Sequence, residues 1–221
     1  MDRLARRGTA AAFVCAMLAA SPALSASKSL DFDKTFGARS EPTRLHYRAS
    51  YVLRGQAHEV EIWRDGDQRL RRVTDGKIEV FAFRPAGGVE WRMVVLDRSR
   101  KLRTDIDRTN LGRIGHFTDW FGLANSLSRP LGPYMLSSMS TPKVSEPSIA
   151  SCRWFLLTKD GVANAICWSM TARIPLLIAD HEGRVQWKVT SFDRAKIPAD
   201  TFVIEDEGFR RQDANQDVQA D

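Results

Sequence analysis

Three cysteines and four histidines in 221 residues leave little material for a metal centre or a redox site. No Cys-x-x-Cys occurs, and His46, His58, His116 and His181 have no spacing that would gather them on one metal. His58-Glu59 and His181-Glu182 each lack the second histidine of a His-Glu-x-x-His zinc helix. A Gly-x-Ser-x-Gly elbow, a phosphate-binding loop and a dinucleotide fingerprint are all missing. Asp65-Gly66-Asp67 reads as a turn and Asp105-Ile106-Asp107 as a strand end, so both are expected to be solvated carboxylates rather than ligand pairs. No acid, base and nucleophile can be assembled, and the expectation is a non-catalytic protein with no cofactor and no metal. Internal repeats and low-complexity linkers are also lacking, which argues for one domain.

Long apolar runs are scarce too. The only one lies near the start, from about Ala10 to Leu24, preceded by Arg3, Arg6 and Arg7 and followed by Ser25, Ala26 and Ser27. A basic start, a short apolar stretch and small residues at its end are the marks of a cleavable secretory signal. The run is shorter than the roughly 20 residues of a spanning helix, and Pro22 interrupts it. Residues 1–26 are therefore read as a signal peptide, residues 27–211 as a single domain and residues 212–221 as a disordered tail. No transmembrane segment is expected in the exported chain. Cleavage after residue 26 would remove three arginines and Asp2, leaving 30 basic and 26 acidic residues. That mild excess, in an exported chain, gives no reason to expect nucleic acid as a partner.

What is abundant is strict alternation. In RLHYRASYVLR, residues 44–54, Leu45, Tyr47, Ala49, Tyr51 and Leu53 fall on one side and Arg44, His46, Arg48, Ser50 and Arg54 on the other, as in a half-buried strand. Similar segments follow at 58–64, 69–74, 77–83, 89–96 and 101–106, separated by Asp65-Gly66-Asp67, Asp75-Gly76 and Pro85-Ala86-Gly87-Gly88. Such short connections predict antiparallel hairpins and leave no room for crossover helices. From Thr109 to Ser128 the period changes: Leu111, Ile114, Phe117, Phe121 and Ala124 recur at helical spacing. Glycines at 112, 115 and 122 make two short helices as good a reading as one, and Thr118-Asp119 would cap the second. A further turn of helix is expected at Tyr134-Met135-Leu136, then a surface loop through SSMSTPKVSEPS. Strands resume at 150–158, 163–171, 174–180, 184–192 and 201–204.

The fold class expected is mainly β (α+β): a single curled antiparallel sheet of about ten strands with a short helical lid, because so large a sheet with so little helix to cover it has to curl. Tyr47, Tyr51, Trp91, Met93 and Trp187 would line its concave face, with Trp120 and Phe121 supplied by the helix. The pattern is satisfied equally by a hollow filled with these side chains and by one that keeps a cavity.

The order of signal peptide, hairpin strands, TDGKIEVFAF, a helical insert ending in PYML at 133–136 and further strands resembles the LolA-like outer-membrane lipoprotein carriers. The later stretches PLLIADHEGRVQWKVTSFD and IPADTFVIEDEGFRR look like the last strands of related periplasmic proteins. The resemblance spans most of residues 44–211. It implies a periplasmic open half-barrel with a helical lid over a hydrophobic cavity that accepts acyl chains. The glycine-rich insert and the cysteine pair depart from that pattern, and no individual functional residue is carried over.

Cys152 and Cys167 flank a predicted hairpin. With Thr158-Lys159-Asp160-Gly161 as its loop, Leu157 faces Val162 and Cys152 falls opposite Cys167, close enough for a disulfide in an exported protein. A zinc site would need more ligands, and a catalytic thiol a basic neighbour. Two functions follow as expectations. One is a periplasmic carrier holding a lipid or acylated ligand, such as a lipoprotein acyl chain, under the lid. The other is an interaction or sensor module with a filled core that binds an envelope protein partner.

Overall fold

The computed structural model describes residues 29–37, 42–88, 90–107 and 119–213. Among them the strands form a single sheet of twelve. Six strands form a first meander: β1 (Arg44–Leu53), β2 (Gln56–Asp65), β3 (Arg69–Thr74), β4 (Ile78–Phe83), β5 (Arg92–Asp97) and β6 (Leu102–Asp107). Five more form a second: β7 (Met135–Met139), β8 (Arg153–Lys159), β9 (Val162–Trp168), β10 (Pro175–Asp180) and β11 (Val185–Asp193). The antiparallel pair β1–β11 joins the two meanders, and β12 (Arg210–Asp213) adds to β6 as the one parallel strand. β12 and β7 are the outer strands, so the sheet is an open half-barrel.

The hairpins follow from turn chemistry. Arg54-Gly55 and Asp160-Gly161 each place two consecutive residues at positive φ, the backbone of a two-residue turn whose twist matches that of the flanking strands. At the second hairpin this sets the register. Lys159 faces Val162, so Trp154, not Cys152, lies opposite Cys167. The expected four-residue loop is two residues too long, because Asp160 takes the left-handed conformation and lets the strands pair to the tip. A shift of two keeps each side chain on its face. Cys152 still meets Cys167, as a diagonal pair with Cα atoms 5.4 Å apart, and the disulfide forms.

Alternation gives the sheet two different faces. On one, a single apolar cluster runs without a break from Ile106 on β6 through Met93, Ala82, Leu70, Ile62 and Tyr47 to Trp187, Cys167 and Trp154 on β8. This is the concave face. The opposite face carries two separate clusters. One, on the β7–β9 wing, gathers Leu136, Phe155, Ile166 and Trp168. The other, on β4 and β5, gathers Phe81, Val94 and Leu96.

Among the described residues two short helices cover parts of the sheet, one on each face. α1 (Phe32–Phe36) had no periodic signal, being five residues long, yet Asp31 caps it by accepting from the Lys34 amide and it buries Phe32 and Phe36 on the β7–β9 wing. α2 (Trp120–Asn125) is the second of the two helices expected, capped as predicted by Asp119. Residues 109–118, where the first was expected, lie outside the described residues, as does the signal segment 1–26. Isolated helices of this length do not persist in water, so tertiary contacts must hold them. Arginines do so. Arg64, fully buried on β2, donates to the Ala124 carbonyl at 3.1 Å and to Asn125 Oδ1 at the end of α2, and reaches the Ala172 carbonyl at 3.5 Å. Arg173 donates to the Phe36 carbonyl at 2.8 Å and to that of Gly37, at the end of α1. Guanidinium groups at helix C-termini satisfy carbonyls that have no intrahelical donor and oppose the helix dipole. Arg129 joins the helices, bonding Asp33 at 2.7 Å and Asp119.

Three expectations need correction. Tyr134-Met135-Leu136 is not helical: from Met135 the chain is β7, with Leu136 opposite Leu157. The apolar spacing there also suits a strand, and pairing with β8 decides it. Residues 201–204 are not a strand: Thr201 and Phe202 end a 3-10 turn, Ala199–Phe202, in which both are buried, and residues 203–204 are irregular. Gln212 and Asp213, assigned to a disordered tail, belong to β12, while residues 214–221 lie outside the described residues.

The buried arginines generate a prediction. Arg173→Met keeps much of the side-chain volume but strands two carbonyls of α1, and hydrogen bonds from charged donors contribute about 1.5–3 kcal/mol each. We expect a loss of about 2–4 kcal/mol by urea unfolding, against less than about 0.5 kcal/mol for Arg48→Met on the exposed strand face. Equal midpoints for the two variants would contradict this role.

Candidate binding site

The seven aromatic and apolar residues expected to line the concave face are not equivalent. Tyr47, Trp91, Met93, Trp120 and Trp187 belong to the continuous concave cluster, and Tyr51 packs at its margin. Phe121 does not join them: it points into the cluster on the opposite wing, with its ring 5.8 Å from that of Phe32. Consecutive residues of so short a helix project in different directions, so Trp120 and Phe121 reach separate clusters.

Most of these side chains are covered by the chain itself. Tyr47 has no accessible surface, nor have its neighbours Leu45, Ala49, Ile62 and Leu70, so no water-sized void lies against them. The Tyr47 hydroxyl is satisfied by Ser126 Oγ at 2.8 Å, which fixes the end of α2 over the strand, and burial pushes its pKa up. Trp187 donates its indole N–H to the Pro175 carbonyl at 2.9 Å. Tyr51 is only half-buried, stacked between His58 and Trp187 with the Arg72 guanidinium 5.8 Å above its ring. The centre of the concave face is thus filled by the chain's own side chains.

Openings lie at its ends. An open groove of about 690 Å³ borders the start of β3, the end of β4, the β4–β5 connection and the end of β6, lined by Gln68, Arg69, Phe83, Arg84, Pro85, Glu90, Trp91, Arg92 and Asp107. Trp91 is both core and lining. It is 5% exposed and meets the Trp120 ring edge-on at 5.7 Å. Around it each guanidinium lies on an aromatic ring: Arg69 on Phe202 at 4.6 Å, Arg84 on Trp120 at 4.7 Å and Arg92 on Phe83 at 4.9 Å. Arg69 is also paired with Asp65, and Arg84 with Asp67 at 2.8 Å. Of these lining residues sequence reasoning had singled out Trp91 alone. Alternation assigns Arg92 to the far face, and only the turn at the strand ends brings both faces to one rim.

A second groove, of about 610 Å³, lies beneath residues 141–152, with Trp154 and the disulfide at its base and Lys143 as its one charged residue. This segment, expected as a free surface loop, is fastened down. Ser145 donates to the Gly183 carbonyl at 2.9 Å, Lys188 pairs with Glu146 at 2.6 Å, and Val144 packs on the concave cluster. Gly183 allows it. Its φ is +80°, and a Cβ there would stand 2.6 Å from the Lys143 carbonyl oxygen. The Gly183 turn is itself held by Asp180, which accepts from the amides of Glu182 and Arg184 and from the Arg184 side chain; that guanidinium first, then the amides, hold its carboxyl down to about 2.

The histidines are dispersed. His46 lies on the opposite face between Glu61 at 2.8 Å and Asp193 at 3.0 Å, stacked on Trp63. His58 pairs with Asp75, His181 is exposed beside Glu182, and His116 lies outside the described residues. Among the described residues no group of three or more His, Cys, Asp or Glu side chains could hold a metal ion, and no helix is long and apolar enough to cross a membrane.

No protein-family model matches the chain, and no curated protein does. Among solved structures it is similar to MucB, with 16% identity over 74% of this chain and 57% of that one and a TM-score of 0.37. The MucA/MucB complex of Pseudomonas aeruginosa gives 17% identity over 74% and 56%, with a TM-score of 0.37. PNGF-II gives 8% identity over 80% and 32%, with a TM-score of 0.30. The chain thus spans little more than half the length of MucB, and likeness at this level identifies no family.

The fastened loop generates a second prediction. Asn tolerates positive φ, so Gly161→Asn, at a position with nothing within 4 Å of a Cβ, should leave stability nearly unchanged. Gly183→Asn meets the Lys143 carbonyl and should release the loop, costing on the order of 1–3 kcal/mol and speeding amide exchange at Val144 and Ser145. Equal behaviour of the two variants would show that the loop does not depend on this contact.

Proposed function

We propose that this chain is a non-catalytic binding protein of the cell envelope, and that its ligand is an amphiphile with an acyl chain and an anionic head, held in the groove beside Trp91. The observation that carries the reading is that groove: there the aromatic core of the concave face reaches the surface through Trp91, inside a rim of three guanidinium groups and two carboxylates. Its volume falls within the range usual for small-molecule sites, and charged groups ringing a floor of Phe83, Pro85 and Trp91 can fix a ligand's orientation. Phe83, Pro85 and Trp91 would take the chain, and Arg92, with Arg69 and Arg84 beside it, the head. At roughly 25 cal/mol per Å² of apolar area buried, a few hundred Å² supplies several kcal/mol before ordering costs are subtracted. The packed centre of the concave face argues against a chain threaded deep between sheet and helix.

The same packed centre favours a second reading, in which the scaffold is an interaction module for an envelope protein and carries no lipid. The two differ in what the purified protein holds and gains. On the first, oleate raises the unfolding temperature of the exported protein, and Arg92→Glu, an exposed substitution that keeps the fold, weakens oleate binding about tenfold. Binding of an uncharged detergent of equal chain length should change little in that variant. A wild-type protein that carries no lipid in native mass spectrometry and gains no stability from oleate would sink the first reading and leave the second.

A further inference from the structure

The segment after β11 crosses to the far side of the sheet and is held there by arginines, an apolar patch and a short strand pairing. Residues 194–198 form no regular structure, and the chain then lies along the face opposite the concave core, on β3 to β6. Arg69 stacks on Phe202 at 4.6 Å, and Arg71 donates to the Thr201 carbonyl at 3.2 Å. Arg98 donates to the Glu205 carbonyl at 3.3 Å and lies 5.6 Å from the Phe209 ring. Arg103 binds Asp206 at 2.7 Å and holds its carboxyl below the usual range. Ile204 and Phe209 cover Phe81, Val94 and Leu96, and β12 then pairs with the open edge of β6.

Every one of these contacts is of a kind used to bind an extended peptide. The backbone is read through its carbonyls, aromatic side chains fill an apolar patch, an acidic residue meets a guanidinium, and a short strand is added to a sheet edge. The arginines are prepared before the arm arrives: Glu79, 5% exposed, lies between Arg71 at 3.0 Å and Arg98 at 2.5 Å, and Arg103 is chelated by Asp105. Beyond the buried Thr201 and Phe202 the arm is lightly anchored. All four residues of β12 are exposed and Val203 is 56% exposed, the profile of a segment that opens locally rather than with the whole domain.

We infer that the arginine row of β3, β5–β6 and β6, with the adjacent edge of β6, is a peptide-docking track which the chain's own residues 199–213 occupy, and that an extended acidic segment with flanking aromatics on a partner protein displaces them. Arg103, which faces Asp206, selects an acidic residue, and Arg69, which faces Phe202, an aromatic one. The tether makes the arm a strong competitor, since a short linker keeps it at an effective concentration in the millimolar range. The track shares Arg69 with the groove beside Trp91, but its test reads peptide capture, which does not depend on oleate binding.

The test uses the full chain and a labelled synthetic peptide, ADTFVIEDEGFRRQD, copied from residues 199–213. Wild-type protein should bind it weakly in fluorescence anisotropy. A variant with its own arm loosened, Phe202→Ala with Phe209→Ala, should bind at least tenfold more tightly, and a peptide carrying Asp206→Lys should lose that gain. Hydrogen exchange of the wild type should show residues 200–213 opening faster than β6. The inference is overturned if the loosened variant folds and captures no peptide, if that variant fails to fold, or if the arm exchanges only on global unfolding.

Discussion

Two buried guanidinium groups decide how this chain closes on itself. Among the described residues the sheet carries nearly all of the regular structure, and the two helices have five and six residues, too few to stand alone. Arg64 and Arg173 supply what is missing, each donating to carbonyls at the end of one helix. Both meet at the turn between β9 and β10: Arg64 reaches the Ala172 carbonyl, and Arg173 is the next residue. Ser169 braces that turn, its hydroxyl accepting from the Ala172 amide at 3.0 Å. Burying a charge is costly unless its hydrogen bonds are met, and here helix ends that also need donors meet them. With α2 fixed in this way, Leu123, Ala124 and Trp120 seal the concave cluster, and Tyr47 is satisfied by Ser126 rather than by a ligand.

A sealed centre leaves its openings at the margins. The groove beside Trp91 lies where the core meets the β4–β5 connection, and the groove above Trp154 where a docked loop stands over the disulfide. The far face is not idle either: α1 covers one wing and the arginine-held arm the other. A curled sheet with one filled face therefore presents several separate surfaces, each bordered by an element held through side-chain polar contacts.

Much of this was legible in the sequence, and what was not has physical causes. Alternation in residues 44–54 assigns Tyr47 and His46 to opposite faces, and turn residues locate ten of the twelve strands, because period and turn chemistry are local. β7 was misread because five residues with apolar spacing suit a helical turn as well as a strand, and only Leu157 across the ladder decides. β12 has no apolar residue at all; its place depends on pairing with β6. The β1–β11 pair, with its irregularity between Arg48 and Ala49, brings together residues more than 130 positions apart, beyond any local signal. The buried arginines were equally hidden: Arg64 ends an apolar alternation and reads as solvated, since its partners, Ala124 and Asn125, are some 60 residues away. The cysteine pair was found despite a register error of two, because an even shift preserves the face.

The central claim is that an amphiphile meets this protein at the rim, beside Trp91, and leaves the packed centre of the concave face closed. Fluorine NMR of protein labelled with 5-fluorotryptophan, titrated with oleate, addresses it at each of the six tryptophans separately. The account predicts that the Trp91 resonance moves with increasing oleate and that those of Trp187 and Trp168 stay in place. Movement of Trp187 with Trp91 unchanged would show that the concave centre opens to receive the ligand, and would contradict it.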